Sequence, residues 1–194
     1  MIVGLAGMKG SGKDTVAAYL VKMHGFERKA FADPLKNSVA ALFGIEFSHV
    51  DQLKNNPDAR VQLVVPLGKP PRMDEDVLEC TFREFLQRYG TESHRDVFGE
   101  DFWLDYTLPV QGFYPGRAIC VTDVRFANEA HRIHVLGGTV WMIERPDIAR
   151  SDPHSSENMD FKADQFILNN GSIDDLYIRV EVALSATAIA TANS

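Results

Sequence analysis

Ile2-Val-Gly-Leu-Ala6, followed by Gly7-Met-Lys-Gly-Ser-Gly-Lys-Asp-Thr15, decides the fold. The first five residues are apolar and short, as a buried strand requires. From Val16 to His24 the pattern turns amphipathic: Val16, Leu20 and His24 share one face, flanked by Ala17 and Val21. The order is strand, glycine-rich turn, helix, and the spacing Gly7-x4-Gly12-Lys13 is that of a phosphate-binding loop. Glycines let backbone N–H groups turn toward an anion at a helix start, where unpaired donors and the helix dipole favour negative charge. Lys13 can then reach the outer phosphates of a nucleotide. Gly7, Met8, Lys9, Gly10, Ser11, Gly12, Lys13, Asp14 and Thr15 are the expected phosphate residues. The residue after Lys13 is Asp14 rather than Ser or Thr, and the hydroxyl that commonly ligates Mg2+ comes one place later, at Thr15. Asp14 is thus either linked to metal or turned away into helix capping.

Further strands are expected at Phe26–Phe31, Ala118–Val124, Thr139–Glu144 and Gln165–Leu168. Leu35, Val39, Leu42 and Phe43 follow helical spacing, as do Phe82, Phe85, Leu86 and Tyr89. Phe126, Ala130 and Ile133 mark another helix, and Ile173 to Leu184 the last, with Ser185 to Ser194 as a fraying tail. Asp33-Pro34 predicts an N-cap with proline at the first helical position. Thr81-x-x-Glu84 and Ser172-x-x-Asp175 predict capping boxes. Strands alternating with helices imply an α/β fold with a parallel sheet and ligands at the carboxyl ends of its strands. Asn55 to Asp76, with four prolines, and Arg145 to Asp160 read as long loops of the kind that serve as lids or binding segments.

The chain has 194 residues, a 45% hydrophobic fraction, a net charge of −7 and two cysteines. One domain with a sizeable core is expected. The acidic balance offers no global attraction to nucleic acid or an anionic membrane, so an anionic substrate needs local Arg and Lys. Cys120 lies in an apolar run and is expected to be a buried thiol. No metal-ligand spacing or disulfide framework is visible. With no basic leader and no apolar run long enough to span a bilayer, the expected compartment is the cytoplasm.

Two further runs carry chemistry. In Val121-Thr-Asp-Val-Arg-Phe-Ala-Asn-Glu129 an apolar strand ends in Asp123, where enzymes with a phosphate-binding loop place a ligand of Mg2+-bound water or a base. Asp123 either does this or caps the following helix. Arg125 projects toward the same end of the sheet, unless it is a surface ion pair. In Leu86-Gln-Arg-Tyr-Gly-Thr-Glu92, Arg95 and Phe98-Gly-Glu-Asp-Phe-Trp-Leu104, the polar Gln87, Thr91 and Glu92 are able to read a base edge. Arg95 can fork onto a phosphate, and Trp103 or Phe102 can stack on a base. Phe98, Phe102 and Leu104 are equally expected as core.

These motifs, with Phe31-Ala-Asp-Pro-Leu-Lys36, His154-x-Ser-Glu157 and Asn169-Asn-Gly-Ser-x-Asp-Asp-Leu176, resemble the deoxynucleoside monophosphate kinases of tailed bacteriophages and some bacteria. The resemblance covers nearly the whole chain, except Asn55 to Asp76. It implies a three-layer P-loop NTPase fold of the nucleoside/nucleotide kinase type over residues 1–194, with an acceptor-binding insertion at 45–110 and a lid at 145–160. It implies transfer of the ATP γ-phosphate to a deoxynucleoside 5′-monophosphate with Mg2+, in host cytoplasm if phage-encoded. Lys13, Asp123 and Arg125 would be catalytic, and Thr15 and Asp123 would serve the metal. Arg145 and Arg150 would close on ATP. Asp33, Lys36, Gln87, Tyr89, Gly90, Thr91, Arg95, Trp103 and Arg125 would hold the acceptor. A homodimer is compatible with this reading, and direct binding of nucleic acid or membrane is not expected. Animal-type phosphomevalonate kinases resemble the chain in Lys13-Asp14 and His154-x-Ser-Glu157, and dephospho-coenzyme A kinase is a more distant likeness. A regulatory P-loop module without a small-molecule acceptor is the alternative outside the kinases.

Overall fold

Five parallel strands form the main sheet of the computed structural model, which describes residues 1–64, 77–110, 116–146 and 159–192. They are β1 (Ile2–Ala6), β2 (Glu27–Lys29), β5 (Ile119–Val124), β6 (Thr139–Glu144) and β7 (Gln165–Leu168), in the order β2-β5-β1-β6-β7. Every pairing is parallel, so all five carboxyl ends lie along one edge. β1 sits at the centre, with Gly4 level with Val121 on one side and Val140 on the other.

Alternation along the strands builds a core on each face. Val3 and Leu5 point to one side, where they join Cys120, Trp141, Ile143 and Ile167. Helices α1 (Lys13–His24) and α8 (Ile173–Ala192) cover that side with Val16, Leu20, Leu176 and Val180. Ile2 and Ala6 point to the other, among Ile119, Val121 and Val140. Leu104 of helix α6 (Phe102–Thr107), Leu108 just after it, and Ala130 and Ile133 of α7 (Ala127–Val135) close it. A parallel sheet buried on both faces needs such continuous apolar strands. Arg132 is buried on α7. It donates to the Leu108 carbonyl at 2.8 Å and pairs with Asp105 at 2.7 Å, which satisfies its charge. Tyr19 and His24 of α1 both meet the Glu181 carboxylate of α8, at 2.6 and 2.7 Å.

The chain folds as two units, residues 1–31 with 104–194, and residues 32–103. In sequence the second lies between β2 and β5. It contains α2 (Asp33–Phe43), α3 (Phe47–Asn55), the antiparallel pair β3 (Arg60–Val64) and β4 (Val77–Thr81), α4 (Phe82–Gly90), a π-helical turn (Thr91–Arg95) and α5 (Asp96–Phe98). Val39, Val50, Val61, Phe82, Phe85 and Leu86 form its core.

The structure departs from the sequence expectations in several places. β3 lies inside the Asn55 to Asp76 stretch that reads as loop, and β4 follows directly after it, because their ladder is made with a partner strand and not by local pattern. Asp33 lies inside the first turn of α2, with Ala32 as the N-cap. A first-turn proline is tolerated there because those N–H groups lack helical partners anyway. α8 continues to Ala192 rather than fraying after Leu184. Its alanines favour helix, and the buried Thr187 accepts a hydrogen bond from Gln165 at 2.8 Å. Phe98, expected in the core, is 66% exposed. Both capping boxes form as expected, Thr81 with Glu84 and Ser172 with Asp175.

Cys120 is fully buried in the middle of β5, and burial pushes its thiol from 9.0 up to about 12. A thiol held protonated in the folded chain favours folding least where the unfolded thiol ionises. The Cys120 contribution to stability should therefore decline as pH rises from about 9 toward about 12. In the same way, a thiol reagent at pH 8 should leave Cys120 unmodified in the folded protein and label it on unfolding. Labelling at the rate of a free thiol, followed by peptide mass mapping, would contradict this burial.

Candidate active site

The glycine-rich loop leaves β1 at Ala6 and enters α1 at Lys13. Gly12 is the N-cap of α1, with φ +108°, and brings no side chain to cap the helix. A helix start of this kind, where N–H groups lack intrahelical partners, is the geometry that suits an anion. The loop is closed by a bond from Ser11 N–H to the Met8 carbonyl at 3.1 Å. Lys13 folds back over it and donates from Nζ to the carbonyls of Gly7 and Met8, at 2.5 and 2.8 Å. The ammonium is held against the loop it must serve. Gly7 has φ +143°, and a Cβ there would strike the Ile143 carbonyl and the Ser11 hydroxyl. Met8 and Thr15 are half-buried, Ser11 is buried, and Lys9, Gly10 and Asp14 are exposed.

Because the sheet is parallel, the ends of β5 and β6 lie beside this loop along the same edge. Asp123, at the end of β5, is half-buried and accepts the Phe31 N–H at 2.8 Å, so the ends of β2 and β5 are fastened together. The exposed Arg125 follows. Its backbone N–H and that of Phe126 both donate to Glu129 Oε2, at 2.7 and 3.1 Å. Glu129 is buried at the start of α7 and fixes the turn that carries Arg125. A carboxylate also suits that helix end electrostatically. Arg145, just past β6, is exposed, while Arg150, His154 and Glu157 lie outside the described residues.

Of the residues expected to meet the acceptor from the second unit, Gln87, Tyr89, Gly90, Thr91 and Arg95 lie on α4 and the π-helical turn, and Asp33 and Lys36 lie on α2. Lys36 pairs with Asp51 at 2.8 Å and lies over the Phe47 ring. The Tyr89 hydroxyl meets Ser38 Oγ at 2.7 Å. The Tyr89 carbonyl meets His94 Nδ1 at 2.6 Å, and the His94 ring sits among Tyr89, Phe102 and Trp103. Trp103 is buried, and its indole N–H donates to the Gly90 carbonyl at 3.0 Å. Gln87 and Thr91 are exposed, and Asp33 is half-buried in the first turn of α2. Arg95 is half-buried at the end of the π-helical turn, and its Nε is buried with no hydrogen-bond partner among the described residues. A single π turn inside a helical run often marks a functional segment.

Sequence reasoning gives no role to Glu129, His94 or Asn169. Glu129 stands three places after a phenylalanine, so no capping-box signal precedes it. Asn169, after β7, donates from Nδ2 to the Ser11 carbonyl at 2.8 Å, a contact across 158 residues that no local pattern announces. Among the described residues, no group of three or more His, Cys, Asp or Glu could hold a metal ion. Among them also, no helix is long and apolar enough to cross a membrane.

A central parallel sheet between helical layers, with a glycine-rich loop joining β1 to α1, is an α/β fold of the P-loop kinase type. A crystal structure of TT1252 from Thermus thermophilus shares this fold, at a TM-score of 0.50 and 18% identity, over 96% of this chain and 97% of that one. The model of the deoxynucleotide monophosphate kinase family matches residues 72–180. The candidate deoxynucleotide monophosphate kinase of Acanthamoeba polyphaga mimivirus is 34% identical over 188 residues, covering 93% of this chain and 94% of the viral protein. The chain belongs to the deoxynucleotide monophosphate kinase family. Membership implies nucleotide substrates and ATP as the phosphate donor.

Proposed function

We propose that this protein transfers the γ-phosphate of ATP to a deoxynucleoside 5′-monophosphate, with Mg2+, giving the diphosphate for DNA precursor synthesis. The observation that carries the reading is the glycine-rich entry into α1 with Lys13 folded back over it, and Asp123 and Arg125 at the end of the neighbouring strand. An oxygen of the acceptor phosphate attacks the γ-phosphorus, the bond to the β-phosphate oxygen breaks, and ADP leaves. The protein forms no covalent bond. Its task is to position two anions and offset the charge of the moving group.

Lys13 and the backbone N–H groups from Gly7 to Thr15 hold the β- and γ-phosphates. Arg125 and Arg95 receive the acceptor phosphate. Among the described residues the Arg95 Nε has no hydrogen-bond partner, and an unsatisfied guanidinium donor favours an anion as its acceptor. Asp33, Lys36, Gln87, Tyr89, Gly90 and Thr91 shape the nucleoside side. Of the two rings suited to stacking, Phe102 is the more accessible, and Trp103 packs against it edge to face. Residues 145–160, with Arg145 and Arg150, act as the lid that excludes water from the γ-phosphate. One hydroxyl, Thr15, and one strand-end carboxylate, Asp123, fit Mg2+, which takes most of its remaining ligands from phosphates and water. Bound there, the ion would neutralise phosphate charge.

The roles of the two arginines predict a split in the kinetics. Arg125→Ala and Arg95→Ala should each lower kcat/KM for the monophosphate by about 100-fold while ATP binding changes little. Glu129→Gln should give a smaller loss of the same kind, about tenfold, because it loosens the turn under Arg125 and touches no substrate. Steady-state kinetics with each substrate varied in turn would check this. Wild-type acceptor kinetics in both arginine variants would overturn the acceptor assignment.

A further inference from the structure

The segment after β7 is tied down more firmly than a connecting loop requires. The Asn169 N–H donates to the Glu144 carbonyl at 2.6 Å, which anchors it to the end of β6. The Arg179 guanidinium donates to the Leu168 carbonyl and to Asn170 Oδ1. The Asp175 carboxylate accepts from the Ser172 N–H and hydroxyl, at 2.9 and 2.7 Å. With its backbone held on both sides, Asn169 spends its side-chain donor on one group in the glycine-rich loop, the Ser11 carbonyl, at 2.8 Å. Gly12 accommodates the approach: a Cβ at Gly12 would stand 2.6 Å from Asn169 Nδ2.

The consequence follows from peptide geometry. In a planar trans peptide the carbonyl and the N–H point in opposite directions. Turning the Ser11 carbonyl toward Asn169 therefore aims the Gly12 N–H away from it, and Gly12 is the N-cap from which α1 starts. Gly12, at φ +108°, brings no side chain of its own to fix this peptide. Asn169 supplies that constraint from the far end of the sequence.

We propose that Asn169 is a positioning residue for donor-phosphate binding, clamping the Ser11–Gly12 peptide so that its N–H is preset for the phosphates. The inference rests on the loop being the ATP phosphate cradle, and it is independent of which acceptor the enzyme takes. Preorganised donors favour an anion because no reorganisation is needed when it arrives. The Asn169 amide acts through the loop and not by touching ATP.

The test is equilibrium binding of ATP and of inorganic tripolyphosphate, with no acceptor present, to wild-type protein, Asn169→Ala and Asn169→Asp. Asn169→Ala should weaken both probes by about tenfold. Asn169→Asp, which sets a carboxylate oxygen against the Ser11 carbonyl, should weaken both by about 100-fold. It matches asparagine in size, so the test does not hang on the alanine variant folding. In the active enzyme kcat should fall while KM for the monophosphate stays within about twofold. A merely structural role would lower Tm and leave the affinities of the folded protein unchanged, which would overturn the proposal. Weakened ATP with unchanged tripolyphosphate would also overturn it, since Asn169 would then act on the nucleoside part. Loss of phosphate affinity in a protein that fails to phosphorylate any monophosphate would uphold the clamp and refute the acceptor assignment, so the two failures are distinguishable.

Discussion

Lys13→Ala should leave a folded protein whose phosphoryl transfer has fallen by about 100- to 1,000-fold, the loss typical of removing one preorganised donor from developing charge. The side chain is half-buried, and its Nζ is engaged with the Gly7 and Met8 carbonyls in the bonds described above. Both carbonyls can turn to water in the variant, so stability should change by about 1 kcal/mol or less. The loss should fall mainly on kcat, because the ammonium meets the γ-phosphate most strongly when charge shifts on it. Lys13→Arg should not restore the rate. A planar guanidinium is wider than the ammonium and cannot sit between two loop carbonyls at these distances. Rapid-quench kinetics with saturating ATP, beside a thermal melt, would check this. A folded variant with near-normal turnover would contradict the assignment of the loop.

The second large effect is expected from Gly12→Ala. Alanine is strained at φ +108°, and its Cβ would meet Asn169 Nδ2. Strain and clash together should cost about 2–3 kcal/mol of stability, and the displaced loop should lose ATP binding by about 100-fold or more. Gly25→Ala is the natural control. Gly25 caps the other end of α1 with φ +68°, and a Cβ there meets nothing within 4 Å. That change should cost about 1 kcal/mol and leave ATP binding untouched. Equal binding losses in the two variants would mean that strain in α1 at large, and not the Gly12–Asn169 approach, governs the site.

The parts of the molecule that can be read in sequence share a physical property: their signal is local. All five strands of the parallel sheet are visible as short apolar runs between helical patterns, although β2 is shorter than its run, Glu27–Lys29 within Phe26–Phe31. Asp123 is legible because it ends such a run, and the capping boxes because their partners are three residues apart. What escapes depends on distant partners. β3 and β4 exist through pairing with each other across a proline-rich stretch. The Asn169 contact with Ser11 joins residues 158 apart in sequence. Phe98 carries an apolar side chain yet stands exposed beside Phe102, and hydrophobicity alone does not separate a core ring from a surface ring. Trp103 poses the reverse case: its size suggests a stacking platform, and its indole N–H is satisfied inside the second unit by the Gly90 carbonyl.

The central claim is that the acceptor is a deoxynucleoside monophosphate. It is tested most directly by coupled measurement of ADP release from ATP and Mg2+ by the purified protein, with each deoxynucleoside monophosphate added in turn and phosphomevalonate as the control acceptor. At least one deoxynucleoside monophosphate should raise ADP release by about 100-fold or more over the rate with ATP alone, with stoichiometric formation of its diphosphate, and phosphomevalonate should not. Stimulation by phosphomevalonate alone, or slow hydrolysis that no monophosphate accelerates, would contradict it.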